Sequence, residues 1–481
     1  MTHRIPGSTL LAVSQIIFMV CGYAMHITIT RLLGPEEYGT WGILVELLIW
    51  FELSVMLGFP KWTTRTIAEE TDPAKINQIK SISIIGQGAI ALFLGVLFYA
   101  LAVPFAAALN DTNLELLIKI SAFDIPFYGM YFLNLGIING QRNYFRMFVL
   151  TVLYAVCKLS FVVILLLLGF GLEGAAIGNI LSSVLVFLLS CFWIGRLSLQ
   201  FKGGYKLSDF FSFGIPTTVF ILGFALLQRV DFLFLKALSP QKDVIGYYML
   251  AFLLAKVPYF IVEATSKSLF SEISNKHGAS DMKACNKIMN DYIGGTILLF
   301  TLISVITLSS TRELILLMFP DVFENSVPFL QILIISNLFI GFSYLLSQVL
   351  FTFDKEKLAL VLIGGVLLCS IPLNIYLITS MGPIGAAYAS TLSFALITLL
   401  ITLAIRNTVD LQFPFKLLMK LATASVITCL FSLNYHPISS LGYLLKLTSG
   451  TIIFIACLLI LRETMVYSVV QKLPGYPYLK R

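Results

Sequence analysis
The sequence predicts an all-α polytopic membrane protein of fourteen transmembrane helices, and three observations carry that prediction. Its residues are 58% hydrophobic and only 12% charged, where soluble domains hold about 25% charge. Apolar runs long enough to cross a bilayer, roughly 20 residues each, recur along the whole chain. Basic residues crowd into alternate connections between those runs. A helical bundle is the class that satisfies its own backbone polar groups in hydrocarbon. The 33 Gly and 17 Pro fit this reading, since membrane helices tolerate both.

Taken in order, the apolar runs lie at 10–33, 38–60, 79–103, 114–139, 147–169, 172–195, 213–238, 244–267, 288–309, 326–352, 358–380, 384–405, 417–434 and 441–461. The first follows Arg4 and reaches past Met25 with no small-residue cleavage site, so it reads as a retained helix rather than a signal peptide. Pro126, Pro216, Pro258 and Pro372 fall within runs and read as kinks. The seven cysteines have no paired spacing, which excludes a disulfide framework or zinc site as the organising principle. No soluble domain fits between the runs. Asn110-Asp111-Thr112 is a glycosylation-type sequon on the predicted outer side.

Charge sets the orientation. One set of alternate connections holds 23 of the 32 basic residues, from Arg4 through Lys61, Arg142, Lys202, Lys276, Lys355 and Arg406 to Arg481. The opposite set holds four, Arg31, Lys236, Lys242 and Arg312, and five more lie inside runs. Positive charge stays cytoplasmic, so both termini are expected in the cytoplasm of a multi-pass protein of the cell (inner) membrane. The net charge of +7 is then topology and calls for no nucleic-acid partner.

The chain repeats itself. Arg31-Leu-Leu-Gly-Pro35 leading to Gly39 is echoed by Lys236-Ala-Leu-Ser-Pro240 leading to Gly246, and Gly174-Ala-Ala-Ile-Gly178 by Gly385-Ala-Ala-Tyr-Ala389. The similar offsets imply two parallel six-helix lobes, 1–205 and 206–410, followed by two extra helices and a tail at 411–481. Parallel repeats suit alternating access around a site at mid-membrane depth. The Gly-Ala-Ala stretches themselves read as close helix packing.

Charges at depth point to that site. Arg229 lies about 13 Å in from the outer end of its run, near the midplane of a core roughly 30 Å thick. Glu46, Asp124, Lys158, Asp231 and Lys256 reach comparable depth, and Glu52 is nearer the cytoplasm. Seven such charges facing lipid would cost on the order of 20 kcal/mol, so they are expected in a paired or hydrated interior. Arg229, Lys158, Lys256, Lys236 and Arg31 are the candidates for holding an anion, Arg especially because its planar fork takes phosphate oxygens two at a time. Asp231, Glu46, Asp124, Glu52 and His26 are candidates for ion pairing or for carrying a coupling ion. Lys119 and Lys446 are expected to snorkel to the outer interface.

Arg31-Leu-Leu-Gly-Pro-Glu-Glu-Tyr-Gly39 leading into Trp41-Gly-Ile, Arg229-Val-Asp231 followed by Gly246-Tyr-Tyr, and Pro372-Leu-Asn374 leading to Gly382-Pro-Ile-Gly-Ala-Ala387 together resemble the polysaccharide flippases of the multidrug, oligosaccharidyl-lipid and polysaccharide exporter superfamily. The likeness covers nearly the whole chain. It implies two lobes in a V shape around a central cationic cavity, and movement of a polyprenyl-(pyro)phosphate-linked oligosaccharide to the outer leaflet for surface glycan assembly. It implies no enzymatic activity and no cofactor. Coupling to H+, Na+ or membrane potential is expected, in a monomer among membrane lipids and near glycan-assembly enzymes. Relatives of the lipid II branch carry further arginines in the first helix, where this chain has Arg31 alone, which makes lipid II a less favoured substrate. Two other readings stand beside this one. A multidrug cation antiporter would need acids to dominate the cavity, and a membrane glycosyltransferase or polymerase would need a substantial outer loop or clustered surface acids.

Overall fold
A computed structural model describes residues 7–194 and 219–461, apart from positions 240, 279–280, 354, 407–408, 411, 413, 436 and 438. Arg4, Lys202, Pro216, Pro240, the lobe boundary at 205 and the basic C-terminal tail lie outside the described residues. Among the described residues, twelve helical segments are long and apolar enough to cross a bilayer, and the chain is a multi-pass, all-helical membrane protein. The run expected at 213–238 begins outside the described residues, so fourteen remains the count expected from sequence.

The first segment, Thr9–Glu69, is 61 residues long. Its opening helix, α1 (Gly7–Leu57), breaks at Gly34, where φ is 75° and ψ −177°. Only glycine takes that conformation without steric cost, and Pro35 after it has no amide to offer the preceding turn. The Tyr38 hydroxyl lies 3.1 Å from Nδ1 of His26, twelve residues earlier. An unbroken helix would hold those positions about 18 Å apart. The chain therefore reverses at Gly34, in agreement with separate runs at 10–33 and 38–60.

The chain divides into two compact units, Met1–Gly246 and Tyr247–Arg481. In the first, α1 is followed by α2 (Phe59–Glu69), α3 (Pro73–Ala100), α4 (Ala102–Ala108), α5 (Asn113–Ser121), α6 (Asp124–Gly140), α7 (Tyr144–Leu167) and α8 (Gly171–Ile194). Asp72 caps α3 by accepting a hydrogen bond from the Ala74 amide at 2.9 Å, just ahead of Pro73. Asn143 caps α7 through the Arg146 amide. The amide of Gln87 on α3 donates to Val55 O at 2.9 Å and Gly129 O at 3.0 Å, which ties α1, α3 and α6 together away from lipid. Asn134 of α6 donates to Ser190 of α8 at 2.7 Å. A Cβ added at Gly178 would stand 2.7 Å from the Val162 amide nitrogen, so α7 and α8 touch backbone to backbone there. A helix described over 219–227 (α9) and the short α10 (Val230–Leu238) lead to the start of α11 (Lys242–Ala255), where this unit ends.

The second unit continues α11 and adds α12 (Val257–Gly278), α13 (Met282–Ser309), α14 (Thr311–Met318), α15 (Val327–Thr352), α16 (Glu356–Met381) and α17 (Ile384–Ile405). Buried serines 336 and 390 bond at 3.1 Å between α15 and α17. The last pair, α18 (Phe415–Asn434) and α19 (Ser440–Ile460), buries Leu421, Ala424, Phe454 and Leu458 with Val305 of α13. Ser432 donates to Ser309 O at 2.7 Å. Lys446 departs from expectation: instead of snorkelling, its ammonium bonds Glu313 at 2.6 Å with the side chain only 4% exposed. A buried carboxylate on the neighbouring α14 attracts it more strongly than distant headgroups, and the pair fastens the extra helices to this unit. Lys119 does lie partly exposed, bonded to Glu115 one turn away.

Gly178→Leu should destabilise the protein by roughly 1–3 kcal/mol through overpacking of α7 on α8. Ile177→Leu, on the exposed side of the same helix, should leave the thermal midpoint in detergent unchanged.

Candidate functional site
The site begins with a helix that stops. The run 213–238 carries Gly223 near its middle, but α9 continues through it and ends at residue 227, and α10 starts at Val230, with a turn at Gln228-Arg229 between them. Arg229 has φ −128° and ψ −6°. Its amide bonds Leu226 O at 3.0 Å, three residues back. The Ala225 carbonyl, which a continuous helix would pair with that amide, instead accepts Nη1 of the Arg229 guanidinium at 3.0 Å. The side chain thus satisfies the carbonyl its own backbone has left, at a helix C-terminus where positive charge is favoured. Asp231 sits in the first turn of α10, where negative charge is favoured, and accepts a hydrogen bond from the Phe232 amide at 2.8 Å.

Nε of Arg229 forms an ion pair with Oε2 of Glu46 on α1, and both side chains are less than 8% exposed. One turn or more toward the basic-poor end of the unit, Lys236 bonds Asp111 at 2.6 Å, again buried on both sides. Asp111 also accepts Thr40 Oγ1 at 3.4 Å and, through its other oxygen, the Asn113 amide at 3.2 Å. Nearer the surface, Lys242 meets Glu36 at 3.2 Å, both more than half exposed. Three ion pairs therefore step along the seam between α1 with the α4–α5 connection and α10–α11. The depth changes their value: the exposed pair contributes little, whereas separating a buried pair leaves an uncompensated charge.

Two glycines close the seam. A Cβ on Gly39 would stand 2.7 Å from the Gly246 amide nitrogen, and one on Gly246 would run into the Pro35 carbonyl. These glycines end the two similar sequence motifs, and the chain brings them to one close approach. Beside them lies a hollow of about 300 Å³ bordered by Asn110, Lys236, Ser239, Gln241 and Lys242. The Asn110 amide, part of the sequon, reaches Ala237 O at 3.4 Å.

A second group gathers deeper in the same unit. Glu52 of α1 and Asp124 at the start of α6 face one another, with Ser183 of α8 beside Asp124 and the Lys158 ammonium of α7 nearby. Lys158 lies 5.7 Å from the Tyr154 ring and also within the field of His26. Tyr128 and Tyr131 pack on Tyr154 at 5.8 and 5.5 Å between ring centroids. Of the remaining candidates, Arg31 is exposed on α1 and Lys256 belongs to the second unit, 5.3 Å from the Phe252 ring. The structure thus joins Arg229 to Glu46, gathers Lys158 with Glu52, Asp124 and His26, and gives Lys236 a partner. Sequence reading missed that partner, Asp111, and also Glu36. The aspartate sits in a loop and drew notice only as the middle of a sequon.

Residues 28–328 match the family described as polysaccharide biosynthesis protein. No curated protein matches the sequence closely enough to report. Among solved structures, the lipid II flippase MurJ in an inward closed conformation is similar over 94% of this chain and 98% of its own, with 18% identity and a TM-score of 0.79. A multidrug resistance MATE family transporter of the MOP superfamily, in an inward-facing conformation, is similar over 84% of this chain and 98% of its own, at 14% identity and a TM-score of 0.68. The outward-facing conformation of such a transporter gives a TM-score of 0.58 at 16% identity, over 83% of this chain and 94% of its own. At these identities the likeness is one of fold.

Lys236→Met alone should cost roughly 3–5 kcal/mol by leaving Asp111 charged and buried. Lys236→Met with Asp111→Leu should recover most of that loss in thermal unfolding, because an apolar pair carries no desolvation penalty.

Proposed function
From the premise that this chain belongs to the polysaccharide biosynthesis protein family, we propose that it is a flippase. It carries a polyprenyl-(pyro)phosphate-linked oligosaccharide from the cytoplasmic to the outer leaflet by alternating access, for surface glycan assembly. Both termini are cytoplasmic in this reading, the membrane is the cell (inner) membrane, and the repeats 1–205 and 206–410 act as the two lobes with 411–481 appended. The observation that carries it is Arg229: a buried guanidinium at a helix break in a chain of this family, on a run whose sequence puts it near mid-membrane depth. Discontinuous membrane helices recur at transporter sites because the break frees backbone dipoles and side chains to meet a charged cargo. Lys158 and Arg31 add positive charge within the same unit.

Movement outward is favoured by the inside-negative potential, by about 2.3 kcal/mol per charge per 100 mV. The group of Glu52, Asp124, Lys158 and His26 is the proposed site of coupling to H+ or Na+. A cation exporter is less well supported, since Glu46 and Asp111 are each held by a buried base. A glycosyltransferase has less support still, because catalysis at a membrane surface needs an acceptor-holding loop that the short outer connections do not provide.

Vesicles reconstituted with the protein and loaded with a lipid-linked oligosaccharide should expose the headgroup to an outside glycosidase. Arg229→Ala should lower that rate at least tenfold, and Arg229→Gln with Glu46→Gln, which strands no buried charge, should lower it as much at normal insertion and yield. Full activity in Arg229→Ala would reduce the arginine to a structural tie. Asp124→Asn should make the rate insensitive to collapse of ion gradients while leaving its response to membrane potential.

A further inference from the structure
The same guanidinium that the flippase reading assigns to substrate is already occupied. Glu46 presents a carboxylate to Arg229 in a setting where both side chains are nearly excluded from solvent, and the second donor of the fork is turned to Ala225 O. A phosphate oxygen and a carboxylate oxygen make the same demand of a guanidinium. Glu46 lies on α1, only seven residues from Gly39, and Arg229 leads into α10, whose other end meets Asp111 and runs on to Gly246. Replacing the Glu46 carboxylate at Arg229 by another anion therefore removes the deepest of the three ion pairs along the seam, the one that ties α1 to the start of α10.

We infer that Glu46 is an internal stand-in for the substrate's phosphate, so that an arriving polyprenyl (pyro)phosphate displaces it from Arg229 and in doing so releases the seam closed by Gly39 and Gly246. The inference rests on the flippase reading and adds to it a reason for substrate binding and opening to be linked. The seam stays shut while Arg229 is held by Glu46, which prevents an empty transporter from opening a path through the membrane. An anion that binds Arg229 better than Glu46 transfers binding energy into separation of α1 and α10. A neutral lipid such as polyprenol has nothing to exchange and leaves the seam closed. A ligand shifts a two-state element only by its difference in affinity for the two states, and here that difference resides in one competing carboxylate. Lys236–Asp111 and Lys242–Glu36 reset the seam after release, the buried pair by specific recombination and the exposed pair by steering.

The test combines native mass spectrometry for binding with hydrogen exchange of segments 34–46 and 228–246, using polyprenyl pyrophosphate and polyprenol as probes. In the wild type, polyprenyl pyrophosphate should bind and raise exchange in both segments, and polyprenol should do neither. Glu46→Gln should show raised exchange without ligand and bind polyprenyl pyrophosphate about tenfold more tightly, as removal of a competing ion pair implies. Normal binding with unchanged exchange would overturn the latch and leave the flippase reading standing, as would equal or weaker binding by Glu46→Gln. Absence of binding by both proteins would overturn the flippase reading and the latch with it. Should Glu46→Gln fail to fold, Glu46→Gln with Arg229→Gln keeps a neutral hydrogen-bonding pair in place. That double variant should exchange faster than wild type and ignore the ligand, and protection equal to wild type would overturn the inference.

Discussion
Charge in a medium without water is the constraint on which this structure depends. An ion facing hydrocarbon has no solvent to stabilise it, so each deep base must find a carboxylate, a carbonyl or an aromatic face inside the protein. Arg229 finds Glu46 and Ala225 O, Lys236 finds Asp111, and Lys446 finds Glu313. Each carboxylate partner comes from a distant part of the chain, so satisfying charge and assembling helices are one event. Buried pairs contribute little net stability compared with apolar residues of the same shape, and their value lies in allowing one register and penalising others.

The fold was legible in the sequence for the same reason that membrane proteins are generally legible: length and apolarity of a run state its destiny almost without context. The reversal at Gly34-Pro35 was readable because glycine and proline mark it. The small-residue stretches ending at Gly178 and beginning at Gly385 were readable as packing surfaces, and both fit against the preceding helix. What the sequence did not carry was pairing. Nothing near Glu46 points to Arg229, since the contact exists only once two antiparallel segments have crossed, and Asp111 is one acid in a polar loop until Lys236 reaches it. The break at Gln228-Arg229 was equally hidden, for neither residue breaks a helix by propensity. It is stabilised locally by the guanidinium that caps Ala225 O and, across the fold, by the Glu46 carboxylate that holds that guanidinium in place. Lys446 shows the opposite error, in which a rule for isolated lysines gave way to a specific carboxylate.

The repeat also acquires a physical meaning. Gly39 and Gly246 close similar motifs in the sequence, and in the folded unit those positions meet. Selection for a small residue at one therefore acts on both. The basic residues of the two motifs differ in fate, however: Lys236 is buried against Asp111, whereas its counterpart Arg31 is exposed. Sequence symmetry has been kept where backbones touch and relaxed where charges are placed.

The boundary of the first compact unit at Gly246 has a consequence for how the chain is made. Synthesis delivers the first repeat well before Arg229, Lys236 and Gly246 emerge, so for that interval Glu46 and Asp111 stand in the nascent bundle as carboxylates without their bases. The early chain is an incomplete object that waits for the opening of the next repeat. A fragment cut at the repeat boundary would carry that deficiency permanently, whereas one continued through Gly246 would hold every charge pair of the seam. The unit of assembly thus extends through Gly246, and a split version of this protein should be divided according to its ion pairs.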